Sequence, residues 1–285
     1  MKIVISKRIG YCKGVARAVY YAHKTLQLAN ERGLKAYCIG SLAHNERVRS
    51  DFENEGLKFI SSPDGHDPGI ALISAHGIPI ALRQRFIDMG FELVDGTCNN
   101  IIINQKSILK YAEMGYCIVV VGIPNHSETL CLQGTELFSG VPVASVLVSS
   151  VSDVDLIPEG FPLFVIAQTT FKQDLFREIV AEIKKRFDDV IVRNSLCTSP
   201  LARQRQILDL CDSCDAVIVV GGAQSANTAA IADISASRGI RTIRIEKPSE
   251  IPEFIYQAEC VGIASGSSTP KEEIEDIVKE LNNHV

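Results

Sequence analysis

One unit occurs three times in this sequence of 285 residues, and this repeat is the feature that most constrains the fold. In each copy an apolar run leads to a cysteine, and a helical pattern starts directly after it; the cysteines are Cys12, Cys98 and Cys197. Cys98 and Cys197 lie 99 positions apart (197 − 98), and Glu128 and Asn227 are separated by the same interval (227 − 128). Solenoid repeats have shorter periods of roughly 20–50 residues. The repeat therefore predicts three small α/β domains, over residues 1–90, 91–189 and 190–285.

Parallel sheets are predicted because apolar, β-branched runs alternate with helical patterns along the chain. In open α/β sheets, ligands bind outside the carboxyl ends of the strands. Several predicted strands end in polar segments, among them SLAHN, SAHG, IPNH, AQTT, AQSAN and SGSS. We therefore expect three similar α/β domains in a pseudo-threefold, trefoil arrangement that directs these polar segments at one central cavity.

The composition excludes some classes of partner. Hydrophobic residues make up 46% of the chain and charged residues 22%, as in ordinary globular proteins. The formal net charge of -5 argues against non-specific binding to nucleic acid or to an anionic membrane surface. The N-terminal MKIVISKRIG lacks the apolar core of a signal peptide, and no run approaches the ~20 apolar residues of a membrane span. We expect a cytoplasmic protein without nucleic-acid or membrane partners.

The three repeated cysteines are candidate metal ligands, because disulfides are rare in cytosolic proteins. Three thiolates that converge on one point bind zinc, copper or an iron–sulfur cluster. A structural zinc site would need a fourth protein ligand. A four-iron cubane on three cysteines instead keeps one iron with an open position. Cys12, Cys98 and Cys197 are therefore candidate ligands of one central site, for which an iron–sulfur cluster is favoured while zinc and copper stay open at this point.

The other six of the nine cysteines do not recur in the repeat. Three of them lie in apolar runs and are interpreted as core residues: Cys38, Cys117 and Cys260. Cys131 follows a polar segment and receives no assignment. Cys211 and Cys214 form a CxxC pair, which is a possible dithiol or metal site. Because no second CxxC accompanies this pair, a core or surface placement is favoured.

Neutral and imidazole donors at the strand ends suggest an anion site for a phosphate or diphosphate. Its candidate residues are His44, His76, His126, Ser225, Asn227 and Ser268. Glu128 is the carboxylate of this set, and burial near an anion would raise its pKa and suit it to donate a proton. The alternative for Glu128 is a first-turn residue that favours the helix dipole. Thr169, at the matching strand end, is a candidate to relay the proton or to hold a substrate hydroxyl.

Taken in order, the motifs GYCKGVARA, HNERV, SAHG, DGTC, HSE, AQTT, ARQ and GSSTP make the chain similar to the LytB/IspH family along essentially its whole length. Members of this family are 4-hydroxy-3-methylbut-2-enyl diphosphate reductases. The resemblance implies a trilobed α/β fold with a cubane on Cys12, Cys98 and Cys197. It also implies that the substrate hydroxyl binds the open iron and that the diphosphate is held by His44, His76, Ser225, Asn227 and Ser268.

The resemblance further assigns proton delivery and hydroxyl binding to His126, Glu128 and Thr169. It implies an oxidoreductase of isoprenoid biosynthesis, in which two electrons and protons remove the hydroxyl as water. The products would be isopentenyl and dimethylallyl diphosphates. A ferredoxin or a flavodoxin would supply the electrons.

Three positions and the loop after Glu128 depart from the family pattern, and this loop reads TLCLQGTE where a glycine-rich EGTxGQ-type segment is expected. Asn99 and Ser127 stand where prolines are expected, and Ala226 replaces a serine that would help bind the diphosphate. Loss of one hydrogen bond to an anion costs about 1.5–3 kcal/mol. Three alternatives therefore stay open: a related [4Fe-4S] enzyme that acts on a different small substrate, a redox or metal sensor, and a zinc-dependent hydrolase. The lack of a DNA-binding motif and of HExxH spacing disfavours the last two.

Overall fold

A computed structural model of the chain describes residues 1–43, 45–137, 140–223 and 225–284. The strands are β1 (Lys2–Ile5), β2 (Lys35–Ile39), β3 (Leu57–Ile60), β4 (Gly69–Ile73), β5 (Glu92–Asp95), β6 (Cys117–Val121), β7 (Ser145–Val148), β8 (Leu163–Ala167), β9 (Val190–Arg193), β10 (Ala216–Val220), β11 (Arg241–Ile245) and β12 (Cys260–Ser265). The α-helices are α1 (Lys13–Arg32), α2 (Glu46–Asn54), α3 (Ile80–Asp88), α4 (Asn99–Glu113), α5 (Ser127–Gln133), α6 (Gln173–Arg186), α7 (Thr198–Cys211), α8 (Ala226–Ser237), α9 (Glu253–Tyr256) and α10 (Lys271–Asn283).

The strands form parallel sheets that share one strand order. The first sheet has the order β3-β2-β4-β5, the second β7-β6-β8-β9, and the third β11-β10-β12-β1. Neighbouring strands within each sheet run parallel. The prediction of three similar α/β domains built on parallel sheets is therefore confirmed.

The central strands are apolar throughout because both faces of a parallel sheet are covered. GIALI of β4, LFVIA of β8 and AVIVV of β10 are buried at every position. The edge strands β1, β5 and β9 are partly exposed along their length. The core of each sheet thus lies around the strands that lead into the polar segments.

The first strand of the chain completes the last sheet. β1 pairs with β12, and Lys2 lies opposite Cys260. β5 and β9 hold the same edge position, next to β4 and β8. Each repeated cysteine thus follows an edge strand. The domain ranges 1–90, 91–189 and 190–285 remain predictions from the sequence repeat. The sheets do not follow these ranges. β5 pairs with β4 and β9 pairs with β8, each a strand of the preceding range, and β1 pairs with β12 of the last range.

The described residues form two compact units. Unit one comprises Met1–Ala16, Ser41–Glu55 and the chain from Thr198, and it contains the third sheet. Unit two comprises Arg17–Gly40 and Gly56–Cys197, and it contains the first and second sheets. Within the described ranges, every helix is too short or too polar to cross a bilayer.

Candidate functional site

A buried carboxyl group lies at the carboxyl end of the second sheet, in unit two. Glu128, in the first turn of α5, is 1% exposed. The Thr169 backbone N–H donates to its Oε1 at 2.6 Å, and the Thr169 hydroxyl donates to its Oε2 at 2.8 Å. Burial raises the pKa of Glu128 from 4.5 to about 7, although both bonds from Thr169 act to lower it. The expected rise in this pKa is confirmed, and the group carries a proton in a large fraction of molecules near neutral pH.

His126 is held by the first turn of the same helix. As the N-cap of α5, its Nδ1 accepts the Glu128 backbone N–H at 3.2 Å. A backbone N–H can only donate, so Nδ1 is unprotonated and the imidazole carries its hydrogen on Nε2. The preceding residue, Asn125, has a φ of 62°, the left-handed conformation. Asparagine tolerates this conformation better than most residues do, and it turns the chain sharply between β6 and His126.

His76 lies beside His126. The two rings meet edge to face, with centroids 5.6 Å apart and an interplanar angle of 84°. His76 follows β4 of the first sheet, whereas His126 follows β6 of the second. Unit two therefore brings together two imidazoles that the sequence predicted to share an anion site.

Gln168 was not predicted as a site residue, yet it organises the loop that carries His126. Its side chain is 1% exposed, and its Oε1 accepts the Ile123 N–H at 2.9 Å and the Thr129 hydroxyl at 3.2 Å. Its Nε2 donates to the Thr170 hydroxyl at 2.8 Å. The Gln168 side-chain amide thus connects the segment that contains Glu128 with the segment that contains Thr169. The AQTT motif, which contains Gln168, was the signal for this role.

The repeated cysteines share a backbone contact. The N–H of each donates to the carbonyl of the second residue after a central strand: Cys98 to Ala75 at 2.9 Å, Cys197 to Thr169 at 2.7 Å and Cys12 to Ser267 at 3.0 Å. This contact equates Thr169 with Ser267, whereas the repeat interval of 99 positions matches Thr169 with Ser268 (268 − 169). In all three sheets, the cysteine is thereby fixed next to the polar segment that follows the neighbouring strand.

Each of these cysteines also stands directly before a helix. The Val15 N–H donates to the Cys12 sulfur at 3.5 Å, at the start of α1. The Asn100 side-chain amide, in the first turn of α4 after Cys98, lies 4.0 Å from the Cys197 sulfur. Peptide N–H groups at a helix N-terminus stabilise negative charge on a thiolate.

This donor set fits an iron–sulfur cluster, whose usual protein ligands are thiolates. All three cysteines are half-buried, as ligands that cover a cluster on one side would be. Among the residues that the structure describes, no three His, Cys, Asp or Glu side chains are grouped closely enough to hold a metal ion. Ligation by three cysteines therefore stays a prediction.

Unit one contains the predicted site residues that follow strands of the third sheet. Ser225 caps α8 by accepting the Thr228 N–H at 3.3 Å. The Asn227 amide donates to the Ser267 hydroxyl at 3.4 Å, and Ser267 also accepts the Cys12 N–H through its carbonyl. Ser267 was not predicted as a site residue, and the adjacent Ser268 is 8% exposed. His44 and the side chain of Ala226 lie outside the described residues.

Arg203 supports the loop before Cys12 from within unit one. It is 5% exposed and lies on α7, in the ARQ motif. Its guanidinium donates to the Arg8 carbonyl at 2.8 Å and the Gly10 carbonyl at 2.7 Å, and to the Ser265 and Gly266 carbonyls at 3.0 and 3.2 Å. Burial lowers the pKa of Arg203, and the neighbouring Cys12 acts in the opposite direction. The Arg203 guanidinium therefore binds both the loop before Cys12 and the segment after β12, in which the Ser267 carbonyl accepts the Cys12 N–H.

The chain was compared with known proteins by sequence and by structure. The model of the LytB protein family matches residues 3–282. This chain belongs to the LytB family. Its reductase relatives include the 4-hydroxy-3-methylbut-2-enyl diphosphate reductases of Alkaliphilus oremlandii and Thermotoga neapolitana. The first is 31% identical, over 99% of this chain and 100% of the relative. The second is 32% identical, over 99% of this chain and 95% of the relative.

Solved structures share the LytB fold of this chain. The structure titled (E)-4-hydroxy-3-methyl-but-2-enyl diphosphate reductase, the terminal enzyme of the non-mevalonate pathway, has a TM-score of 0.82 at 28% identity and covers 99% of this chain and 100% of its own. A diphosphate reductase from Plasmodium falciparum has a TM-score of 0.82 at 26% identity, with 98% and 87% covered. The fold likeness therefore extends over the whole LytB chain.

Two departures from the LytB pattern fall at the same structural position. Asn99 is the first residue of α4 and Ser127 is the first residue of α5. Proline is favoured at this position because a first-turn N–H has no partner within the helix. Other residues also begin helices there, and both helices form in this chain. These two replacements therefore leave the backbone around Cys98 and His126 intact.

Proposed function

We propose that this LytB-family chain reduces 4-hydroxy-3-methylbut-2-enyl diphosphate and releases isopentenyl and dimethylallyl diphosphates. The observation that carries the proposal is the buried Glu128 carboxyl group, which receives both donors of Thr169 while the Thr169 carbonyl accepts the Cys197 N–H. A proton donor next to a cluster ligand suits a reaction in which a hydroxyl leaves as water. The names of relatives that are 31% and 32% identical support this substrate.

We assign Cys12, Cys98 and Cys197 as the three ligands of a [4Fe-4S] cluster. When bound, the cluster supplies electrons and one iron with an open position for the substrate oxygen. The equivalent backbone contacts of the three cysteines and their places before α1, α4 and α7 support this assignment. Arg203 restrains the loop before Cys12 through its hydrogen bonds to the Arg8 and Gly10 carbonyls.

The proton for the leaving hydroxyl comes from Glu128 in this proposal. Removal of a hydroxyl as water requires one proton at the oxygen that departs. Glu128 holds such a proton near neutral pH because burial raises its pKa to about 7. The Thr169 hydroxyl, 2.8 Å from Glu128 Oε2, binds the substrate hydroxyl or relays the proton. His126 contributes a hydrogen on Nε2, because its Nδ1 accepts the Glu128 backbone N–H.

The diphosphate binds to neutral and imidazole donors in this proposal. The residues assigned to it are His44, His76, Ser225, Asn227 and Ser268, with His126 and Thr169 at the hydroxyl end. A chain with a net charge of -5 needs such local donors, because its overall charge repels an anion. We further propose a ferredoxin or a flavodoxin as the electron donor.

The test is an anaerobic assay of the full-length chain after its cluster content has been verified by Mössbauer and EPR spectroscopy. Oxidation of a reduced dye is followed with the hydroxymethylbutenyl diphosphate, and both products are identified by mass spectrometry. We expect turnover, and we expect Cys12→Ser to lose the cluster signal and the activity together. Stoichiometric zinc without iron would contradict the redox proposal.

A second outcome separates the substrate from the cofactor. If the cluster-loaded chain does not turn over while the Thermotoga neapolitana reductase does in the same assay, the substrate assignment is wrong. A related [4Fe-4S] enzyme with a different small substrate would then be favoured. Ala226, which stands where the family pattern has a serine, would be the first position to restore.

A further inference from the structure

The CxxC pair of the sequence is not the pair of thiols that the structure brings together. The Cys211 sulfur donates to the Ser235 hydroxyl at 3.5 Å. Cys214 instead lies against Cys260, and the two sulfurs are 3.3 Å apart. These residues are 46 positions apart in sequence (260 − 214), and both belong to unit one. Cys260 packs against the hydrophobic core, as predicted, and it also forms a close thiol pair with Cys214.

The backbone fixes both cysteines at the amino ends of two neighbouring strands. Cys214 leads into β10 and Cys260 is the first residue of β12, and these strands pair with Ala216 opposite Val261. The Asp215 carboxylate accepts the Cys260 N–H at 2.7 Å, and the Asp215 N–H donates to the Cys260 carbonyl at 3.1 Å. The pairing of β10 with β12 and the Asp215 side chain therefore hold the two sulfurs close together.

We propose that Cys214 and Cys260 form a redox-active dithiol, which a low-molecular-weight disulfide such as oxidised glutathione converts to an intramolecular disulfide. A disulfide has a sulfur–sulfur bond of about 2.05 Å, so the two sulfurs need to approach by only about 1.2 Å. We expect rotation of the two side chains to provide that movement without a change in the pairing of β10 with β12.

The order of the two steps follows from exposure. Cys260 is partly exposed, whereas Cys214 is 6% exposed. Burial raises the pKa of the Cys214 thiol to about 11, and the neighbouring Cys260 adds to this rise. The thiolate is the form that attacks a disulfide, and the attack requires access. Cys260 is therefore the residue that reacts first.

The exchange balances as follows. The Cys260 thiolate attacks one sulfur of oxidised glutathione, a mixed disulfide forms, and one glutathione thiolate leaves. The Cys214 thiol loses its proton and its sulfur attacks the Cys260 sulfur, which releases the second glutathione. Two protein thiols are oxidised, and one molecule of oxidised glutathione is reduced to two thiols. The reverse reaction restores the dithiol.

The location of the pair gives this cross-link a structural consequence. β12 ends at Ser265, where Arg203 on α7 donates to the Ser265 carbonyl at 3.0 Å. Cys214 follows the end of α7, and Cys260 starts β12. Arg203 already connects α7 to the carboxyl end of β12. A disulfide between Cys214 and Cys260 would add a covalent link between the segment just after α7 and the amino end of β12. We expect oxidation to raise the temperature at which unit one unfolds, because the cross-link restricts the unfolded chain.

The test uses the full-length cluster-loaded chain under anaerobic conditions, in glutathione buffers of increasing oxidised fraction. Thiols are trapped with an alkylating reagent, and peptides are mapped by mass spectrometry without reduction. We expect a linked pair of peptides that contain Cys214 and Cys260, with loss of alkylation at both positions and full recovery after reduction. The wild-type map decides the question even if a variant folds poorly.

Cys211→Ser is the matched control, because it removes the CxxC pattern and keeps the observed contact. This variant should form the same link to the same extent, whereas Cys214→Ser and Cys260→Ser should form none. A link between Cys211 and Cys214 would overturn the proposal. A glutathione adduct on Cys260 that never resolves, or two thiols that remain alkylated in fully oxidised glutathione, would overturn it as well.

Discussion

Glu128 and Thr169 form a two-point hydrogen bond in which each carboxylate oxygen receives one donor of the same residue, at 2.6 and 2.8 Å. The Thr169 carbonyl accepts the Cys197 N–H at 2.7 Å, so one residue positions both the carboxyl group and the cysteine. The carboxyl group is 1% exposed, which explains why its pKa rises even though two donors favour its charged form. The proton of Glu128 and the position of Cys197 are therefore linked through a single residue.

Glu128→Gln should abolish turnover while the cluster spectrum stays unchanged, because an amide keeps the shape but has no proton to donate. The free energy of unfolding of this variant should also lack the pH dependence that Glu128 gives the wild type. The folded pKa of Glu128 is about 7 and the unfolded value is 4.5, so the advantage of the protonated form is complete below pH 4.5 and is lost as the pH rises through 7. The wild type should therefore lose on the order of 3 kcal/mol relative to this variant between pH 4 and pH 8.

Urea denaturation at a series of pH values measures this difference. Glu273→Gln is the matched control for turnover, because Glu273 is also 1% exposed and its pKa is also raised to about 7. It should keep its activity. Unchanged turnover in Glu128→Gln would remove Glu128 from the proposed mechanism.

Thr169→Val should raise the pKa of Glu128 further, because the lost hydroxyl bond acts to lower it. A neutral hydrogen bond is worth about 1 kcal/mol, which corresponds to somewhat less than one pH unit. The upper limb of the pH profile of turnover should move to higher pH by that amount. Thr169→Ser keeps the hydroxyl and should leave the limb in place; an equal shift in both variants would contradict this explanation.

Asn125→Ala should destabilise the chain, because the left-handed conformation at φ 62° costs a residue with a Cβ roughly 1–2 kcal/mol. Asn125→Gly should be tolerated, since glycine adopts this conformation without a steric penalty. Thermal unfolding of the two variants measures the difference. Equal stability of both would mean that the turn before His126 is not under conformational restraint.

Arg203→Met should lower both stability and iron content. The substitution leaves the carbonyls of Arg8, Gly10, Ser265 and Gly266 without their buried donor, at a cost of about 3 kcal/mol or more. Arg205→Met is the control, because Arg205 is exposed on the same helix and should change stability by about 0.5 kcal/mol or less. Iron per chain and the denaturation midpoint are the measurements, and normal iron content in Arg203→Met would refute the role in holding the Cys12 loop.

Glu273 provides a prediction about pH in unit one. The Asn45 amide donates to its two carboxylate oxygens at 3.1 and 3.2 Å, and Asn45 also caps α2. Burial raises the pKa of Glu273 to about 7, so the advantage of its protonated form is present below pH 4.5 and is lost as the pH rises through 7. Glu273→Gln should match the wild type at low pH and become the more stable protein above pH 7. The reverse order in denaturation experiments would show that Asn45 stabilises the charged carboxylate more than burial destabilises it.

Much of the fold and of the candidate site was predictable because the relevant signals are local. Apolar runs such as GIALI and LFVIA indicate buried strands, and a cysteine before each helical pattern marks Cys12, Cys98 and Cys197. Parallel strands place their carboxyl ends at the same edge, so the grouping of Glu128 with Thr169 followed from strand order. The contact between His76 and His126 joins residues that follow strands of two different sheets, so it agrees instead with the expectation that the repeats direct their polar segments at a common cavity.

What the sequence alone determined was the set of secondary-structure elements, their repeat and the chemistry of their ends. Three long-range contacts became visible in the folded chain alone: β1 pairs with β12 in the third sheet, Cys214 contacts Cys260 rather than Cys211, and Arg203 binds the loop before Cys12. The physical reason is the range of the interactions. Helix and strand patterns arise between residues a few positions apart, whereas these contacts join segments up to 258 positions apart (260 − 2) and depend on which surfaces pack together.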